Sequence, residues 1–268
     1  MQQRFPSLLF TMSLLSLLGC SPTTKELPAT LAELRVKIEA EHYTDLSQQR
    51  NHSRRSIRVV LSNAKGSDIE RGDVKIEVNG KPMRFGVGKG NYYDRHPYYL
   101  LDDDDNLPLT PGTEHRFVLV LPDGARHDIG TLRTPAALSP EQFDFPTQAP
   151  ASGPVKIGWR DLAEPALLQL GRSEIRREAE GNVVVEGAGP HDPEAPRRTI
   201  GPGWFRNHSG HWAVPEKLLV STADRKLLSL HARVVATSEG RMSPAFSKQS
   251  SMQATRLIQL EMEFAKVE

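Results

Sequence analysis

Hydrophobic and polar residues alternate with a period of two through much of the first half of the chain. Val36 and Ile38 alternate with charged residues, and the same pattern recurs around Ile57, Val74 and Phe117. Successive side chains of a β-strand point to opposite faces of the sheet, so one face of each segment is buried and the other is exposed to solvent. The pattern therefore predicts a series of short amphipathic strands.

Two dipeptides that favour tight turns lie between these predicted strands. Asparagine or aspartate followed by glycine readily adopts the positive φ angles of a short hairpin turn. The predicted hairpins join residues 73–78 to 81–87 through Asn79-Gly80, and residues 115–121 to 126–133 through Asp123-Gly124.

The second half continues the same style of short apolar segments separated by turn residues. Its strand candidates are residues 155–159, 167–170, 182–185, 217–220, 227–237 and 258–264. Residues 162–177 are the best candidate for a helix, although Pro165 and Gly171 oppose it. The last strand has the clearest pattern, with Ile258 and Met262 on one predicted face.

These elements predict an all-β fold of two tandem antiparallel β-sandwiches. The chain has 20 glycines and 20 prolines, and the prolines concentrate between residues 134 and 154. We therefore expect a first domain at residues 31–135, a linker at 136–153 and a second domain at 154–268. The architecture of residues 154–265 resembles fibronectin type III and immunoglobulin-like domains, with an early strand ending in Trp159 and a closing strand after a Ser-Glu-Gly-Arg turn.

The amino terminus has the features of an export signal. Arg4 precedes an apolar run of about 14 residues, which is shorter than the roughly 20 residues of a transmembrane helix. The run ends in Leu17-Leu18-Gly19-Cys20, which resembles the lipobox of bacterial lipoprotein precursors. That resemblance implies cleavage of residues 1–19 and a diacylglyceryl group on Cys20, whereas an ordinary signal peptide is the alternative.

The same resemblance implies a location in the cell envelope. Ser21 follows the cysteine in place of aspartate, which in such lipoproteins implies the outer membrane, facing the periplasm or the cell surface. Residues 20–30 are polar and are predicted to form a lipidated tether. Several acyl chains hold a protein stably on a bilayer, so we expect the membrane to be one partner.

Charge and cysteine content exclude several classes of protein. Removing residues 1–19 removes one basic residue, Arg4, and no acidic residue, so the 34 basic and 33 acidic residues become 33 of each. This balance does not predict nucleic acid as a partner. Cys20 is the only cysteine, so no disulfide can form within one chain.

Aromatic residues mark two candidate binding loops. Tyrosine and tryptophan combine a rigid apolar ring with a polar group, which suits a sugar or a protein partner. The alternative is that the rings close the ends of two small cores. The candidate ligand-binding residues are Tyr92, Tyr93, Tyr98, Tyr99, Trp204 and Trp212.

Two polar clusters are candidate metal sites. Asp102, Asp103, Asp104 and Asp105 could supply oxygen ligands to calcium, but they lack the spacing of an EF-hand loop. His208 and His211 could bind zinc on a helical turn, but nearby glycines favour a loop. The alternative for each cluster is a solvated loop without a metal.

The chain lacks the G-x-S-x-G, H-E-x-x-H and phosphate-loop motifs, so we expect neither an enzyme nor a cofactor. The predicted function is a lipid-anchored envelope protein that binds or scaffolds a protein or glycan. A carbohydrate-binding or adhesion module that uses the aromatic loops is the alternative, and a hydrolase is the third class.

Overall fold

A computed structural model describes residues 22–47, 50–89, 95–105, 107, 109–150, 154–177, 183–187, 200–205, 208–216, 219, 221 and 225–264. This part of the chain forms β-strands and three short 3-10 turns, and it contains no α-helix. The prediction of an all-β fold is thereby confirmed. None of its helical segments has the length and apolar character needed to span a membrane.

The described strands divide into ten in the first half of the chain and nine in the second. The first half contains β1 (Thr23–Thr24), β2 (Arg35–Ser47), β3 (Arg50–Ser62), β4 (Asp68–Ile69), β5 (Lys75–Val78), β6 (Lys81–Pro82), β7 (Arg84–Lys89), β8 (Arg95–Asp102), β9 (Glu114–Val120) and β10 (Arg126–Arg133). The second half contains β11 (Phe143–Asp144), β12 (Lys156–Trp159), β13 (Ala166–Arg177), β14 (Val183–Gly187), β15 (Ile200–Phe205), β16 (Gly210–Ala213), β17 (Arg225–Glu239), β18 (Arg241–Met242) and β19 (Ser251–Glu263). The 3-10 turns are Leu31–Glu33, Asp103–Asp105 and Pro140–Gln142.

One sheet of 11 strands runs through both halves of the chain. Its main path is β1-β4-β3-β2-β19-β17-β13-β14, with β8 and β7 continuing from β3 and with β15 pairing β13. A five-stranded sheet has the order β18-β10-β9-β5-β6, and a three-stranded sheet has the order β11-β12-β16.

Each of the two smaller sheets packs on the large sheet and encloses one hydrophobic core. The first core places Ile38 and Ile57 of the large sheet against Ile76 and Phe117 of the five-stranded sheet. The second core joins two sheets in the same way, and its buried members are Phe143, Val155, Ile157, Leu162, Ala166, Leu168, Leu170, Val214, Leu230, Ala232, Val234, Ile258 and Met262. The large sheet is therefore one layer of both packed regions.

The carboxyl-terminal strand joins the two halves. Strand β19 pairs in parallel with β2 over nine residues, from Ser251 opposite Lys37 to Gln259 opposite Asp45. Met252 of β19 lies in the first core, whereas other residues of the same strand lie in the second. The expectation of purely antiparallel sheets is corrected here, because β19 runs antiparallel to β17 but parallel to β2, and β1 also pairs with β4 in parallel.

The local turn predictions are confirmed. Asn79 and Gly80 both have positive φ angles, of 51° and 81°, and connect β5 to β6. The second hairpin connects β9 to β10 through Asp123-Gly124. The partner of β5 is shorter than predicted, however, since β6 ends at Pro82 and the chain then crosses to the large sheet as β7.

The prediction of a helix at residues 162–177 is wrong. Residues 166–177 of this range form β13, which pairs with β17 along most of its length and with β14 and β15 on the other side. Leu168 and Leu170 face the second core with the period of a strand. Pro165 precedes the strand, where its missing N–H costs no ladder hydrogen bond.

Candidate functional site

One face of the large sheet packs on the two cores, and the polar residues of its alternating strands lie on the other face. On β2 the core-facing residues include Val36, whereas Glu39 and Glu41 are exposed on the other face. On β3, Arg54 and Arg58 are exposed on that same open face. Cross-strand register places Glu39 directly opposite Arg58, so the two charged rows lie side by side.

This open face forms a groove of about 580 Å³. A volume of this order is typical of small-molecule sites, which run from roughly 300 to 1,000 Å³. The groove is lined by Glu39, Ala40, Glu41, Tyr43, His52, Arg54, Ser56, Arg58, Leu100, Arg233, Gln253, Thr255 and Leu257. Strands β2, β3, β8, β17 and β19 all contribute, so both halves of the chain build it.

Several charged groups in the groove are available to a ligand. Neither the Arg54 guanidinium nor the Glu41 carboxylate makes a hydrogen bond or ion pair with another described residue. Arg58 lies over the ring of Tyr98, with its Cζ 4.9 Å from the ring centroid. This cation–π contact orients the guanidinium without neutralising it.

One end of the groove is formed by a fixed group of polar and aromatic side chains. The Tyr43 hydroxyl donates a hydrogen bond of 3.0 Å to Asp45 Oδ2, and the Asp45 side chain is buried. The rings of Tyr43 and His52 meet edge to face, with centroids 5.8 Å apart. These contacts hold an aromatic surface at the exposed edge of the groove.

A buried polar cluster lies beside the groove on the same face. His231 Nε2 is 2.7 Å from Ser173 Oγ and 3.0 Å from Ser229 Oγ, and its Nδ1 is 3.7 Å from a carboxylate oxygen of Glu261. Burial lowers the pKa of His231, and Arg233 adds to this, although Glu261 opposes it. The neutral imidazole is therefore the favoured form.

The order serine, histidine and carboxylate resembles a hydrolytic triad in composition, but the geometry differs. A distance of 3.7 Å is too long for a hydrogen bond, so Glu261 does not orient the imidazole as a triad acid does. His231 Nδ1 has no hydrogen-bond partner among the described residues. The cluster is better explained as a polar contact between β13, β17 and β19 than as a catalytic centre.

The two candidate tyrosines that the structure describes lie in a strand. Tyr98 and Tyr99 lie in β8, whereas Tyr92 and Tyr93 lie outside the described residues. Tyr99 is 1% exposed, its hydroxyl donates to the backbone oxygen of Arg71 at 2.7 Å, and burial raises its pKa. Tyr99 is therefore a core residue and is corrected as a ligand-binding candidate, while Tyr98 remains half-exposed beside the groove.

The candidate tryptophans lie on two different sheets. Trp212 is half-buried on β16 and packs against the second core. Trp204 lies on β15 opposite Leu167, and its side chain is outside the described part. A separate open cavity of about 530 Å³ lies beside Trp159, and His211 also lines it.

The aspartate run is fixed by arginines. Asp102 and Asp105 both accept hydrogen bonds from Arg84, at 2.9 and 3.0 Å. Asp103 accepts from the backbone N–H and the Nε of Arg55, at 2.7 and 2.6 Å. Burial opposes ionisation of Asp103, but these hydrogen bonds outweigh it and lower its pKa.

The structure does not support the calcium hypothesis for residues 102–105. The carboxylates turn to different arginines because Asp103–Asp105 forms a 3-10 turn at the end of β8. The described residues contain no group of three histidine, cysteine or acidic side chains that could hold a metal ion. The zinc pair is also separated, since His208 Nδ1 contacts the backbone oxygen of Leu162 and His211 is exposed on β16.

The groove residues could not be recognised from the sequence, because they occupy the polar positions of ordinary alternating strands. The sequence Arg54-Arg55-Ser56-Ile57-Arg58 predicts a strand with one wet face, which is ordinary for an amphipathic strand. Only the pairing of β3 with β2 and β8 shows that this face continues into a groove.

No protein-family model matches the chain, and no curated protein matches it significantly.

Proposed function

We propose that this chain is a lipid-anchored protein of the cell envelope that binds an envelope component in the groove of the large sheet. The observation that carries the binding function is the groove itself, an open polar concavity with Arg54 and Glu41 uncommitted to other described residues. The lipobox-like Leu17-Leu18-Gly19-Cys20 supports the location, and these residues lie outside the described part.

The same proposal interprets the two cores as two sandwich units, residues 31–135 and 154–268, that share the large sheet. The five-stranded sheet takes four strands from the first unit and β18 from the second, and the three-stranded sheet takes β12 and β16 from the second unit and β11 from the segment between the units. The shared layer positions β2 and β3 beside β17 and β19. A binding surface assembled from both units suits a scaffold, because a bound partner then contacts a continuous, rigid layer of paired strands.

Metabolic labelling with palmitate tests the anchor. We expect the wild-type protein to incorporate label and the Cys20→Ser variant to lose both label and processing, because the serine hydroxyl does not replace the thiol in this modification. Label in the Cys20→Ser variant at the wild-type level would contradict the anchor.

Site-specific photo-crosslinking in intact cells tests the groove. A photoreactive residue in place of Gln253, which is exposed in the groove, should give adducts in the cell envelope. The matched control is Lys75, which is exposed on β5 in the five-stranded sheet. Equal adduct yields at the two positions, or none at Gln253, would refute binding in the groove.

A further inference from the structure

We infer that the ligand of this groove is an oligosaccharide that is neutral or carries both charges, and not a polyanion or a peptide. The inference rests on the proposed function, since it specifies the ligand class of the same groove. Three properties of the lining carry it: its mixture of hydrogen-bond donors and acceptors, the pairing of its charges and its aromatic surfaces.

The groove offers donors and acceptors at short intervals. Arg54 and Arg58 donate, Glu39 and Glu41 accept, and the hydroxyl of Ser56 can do either. A sugar hydroxyl is also both a donor and an acceptor, so each one can be satisfied by two neighbouring side chains of this lining. Such pairs are worth more than neutral ones because one member is charged.

Opposite charges lie directly beside each other across the floor of the groove. Glu39 is opposite Arg58 in the pairing of β2 with β3 and forms an ion pair with Lys37 at 2.7 Å, whereas Glu41 is opposite Ser56 and has no ion-pair partner among the described residues. Side chains at such cross-strand positions are about 4.5–5.5 Å apart at Cβ. A polyanion that reached Arg54 and Arg58 would therefore also meet the unpaired carboxylate of Glu41, and like charges at short distance repel.

Aromatic rings are present at both ends of the basic row. Tyr43 and His52 form an edge-to-face pair at one end, and Tyr98 lies beneath Arg58 at the other. The Tyr43 and His52 rings line the groove and provide flat apolar surface, which matches the C–H faces of a pyranose ring, whereas the Tyr98 face under Arg58 is covered by the guanidinium. Leu257 of β19 adds apolar surface beside Tyr43.

The backbone argues against a peptide ligand. Extended peptides bind sheets by adding a strand to a free edge, where unpaired N–H and C=O groups form the ladder. Strand β2 is paired on both sides, with β3 and β19, and β3 is paired with β2 and β8 at the groove. The floor of the groove therefore recognises a ligand through side chains alone.

An oligosaccharide array with the full-length protein in detergent tests the ligand class. The array contains neutral, zwitterionic and polyanionic oligosaccharides, and we expect binding to the first two groups only. Arg54→Ala should weaken that binding about 10-fold or more, as expected for the loss of one charge-assisted hydrogen bond. Lys75→Ala, exposed on another sheet, should bind as the wild type does.

A second variant tests the role of the Glu41 carboxylate. Glu41→Gln removes one exposed carboxylate without changing the shape of the side chain, and we expect it to gain binding to polyanionic oligosaccharides. Thermal unfolding of each variant checks that the fold is retained, because both residues are exposed. Wild-type binding to polyanions, with no effect of Glu41→Gln, would overturn the inference.

The crosslinking experiment at Gln253 separates the two proposals. Adducts that resist protease and are released by glycan-cleaving enzymes support the inference. Adducts that protease alone removes would overturn the oligosaccharide and leave the binding groove standing with a protein partner. Absence of any adduct above the Lys75 control would refute the groove as a binding site, and the ligand class with it.

Discussion

An Ile38→Ala substitution in the first core should destabilise the second half of the protein as well. Ile38 lies on β2 and is 1% exposed, so its truncation leaves a cavity in the first core. Strand β2 pairs with β19, and β19 supplies Ile258 and Met262 to the second core. Loss of the first core therefore removes the neighbour of a strand on which the second core depends.

The magnitude follows from the burial of Ile38. Truncation of a buried isoleucine to alanine costs about 2–5 kcal/mol of the free energy of unfolding. With an m-value of about 3 kcal/mol per molar urea, the midpoint of unfolding should fall by roughly 1 M. Val118→Ala, on the half-exposed face of β9, is the matched control and should change stability by only about 0.5 kcal/mol.

The distribution of aromatic residues gives a selective assay. All three tryptophans, Trp159, Trp204 and Trp212, lie in the second half, whereas all five tyrosines lie in the first. Urea unfolding followed by tryptophan fluorescence therefore reports the half that Ile38→Ala does not touch, and circular dichroism reports all the strands. We expect both signals to shift together.

Separate shifts of the two signals would contradict coupling between the two halves. If Ile38→Ala lowers the midpoint seen by circular dichroism and leaves the tryptophan transition in place, the two halves unfold independently. The shared sheet would then not couple them, and the reasoning from the β2–β19 pairing would be refuted.

Three further predictions concern polar and charged side chains. Tyr99→Phe should cost about 1 kcal/mol in urea unfolding, because the part-buried carbonyl oxygen of Arg71 loses its donor; a change near zero would contradict the hydrogen bond. Burial and two neighbouring arginines lower the pKa of His42 to about 4. The unfolded chain binds this proton near pH 6.5, so the contribution of His42 to stability is complete above pH 6.5 and is lost as the pH falls towards 4. The slope of the urea midpoint against pH should flatten in His42→Gln and stay unchanged in the exposed control His211→Gln. Millimolar calcium should leave the melting temperature unchanged, because Arg55 and Arg84 form ion pairs with three of the four aspartates, Asp102, Asp103 and Asp105; a clear rise would support a calcium site there.

The local elements could be predicted from the sequence because their causes are local. Alternation around Ile57 and Phe117 identifies strands, since one face of each is buried. Asn79-Gly80 identifies its hairpin, because these residues tolerate the positive φ angles that the turn requires. Residues 162–177 were ambiguous for the same reason: their apolar residues fit either period, and only pairing with β17 selects the strand.

The candidate site could not be predicted in the same way. Tyr98 and Tyr99 are adjacent in sequence, but Tyr99 is buried and Tyr98 is half-exposed. Which of the two is buried depends on which face of β8 packs against the first core. The aspartate run was equally misleading, because Arg55 and Arg84, which neutralise it, are distant in sequence and arrive through β3 and β7.

Sequence alone determined that much of this chain consists of amphipathic strands, where its tight turns lie, and which side is buried in strands with clear alternation, such as those around Ile57 and Phe117. These properties depend on residues within a few positions of one another, through side-chain alternation and backbone sterics. Only the tertiary structure decided that β2 and β19 lie side by side, that one sheet serves two cores, and that the polar faces of five strands form a groove. Those features depend on pairing between segments more than 200 residues apart, such as Asp45 with Gln259, which no local pattern encodes.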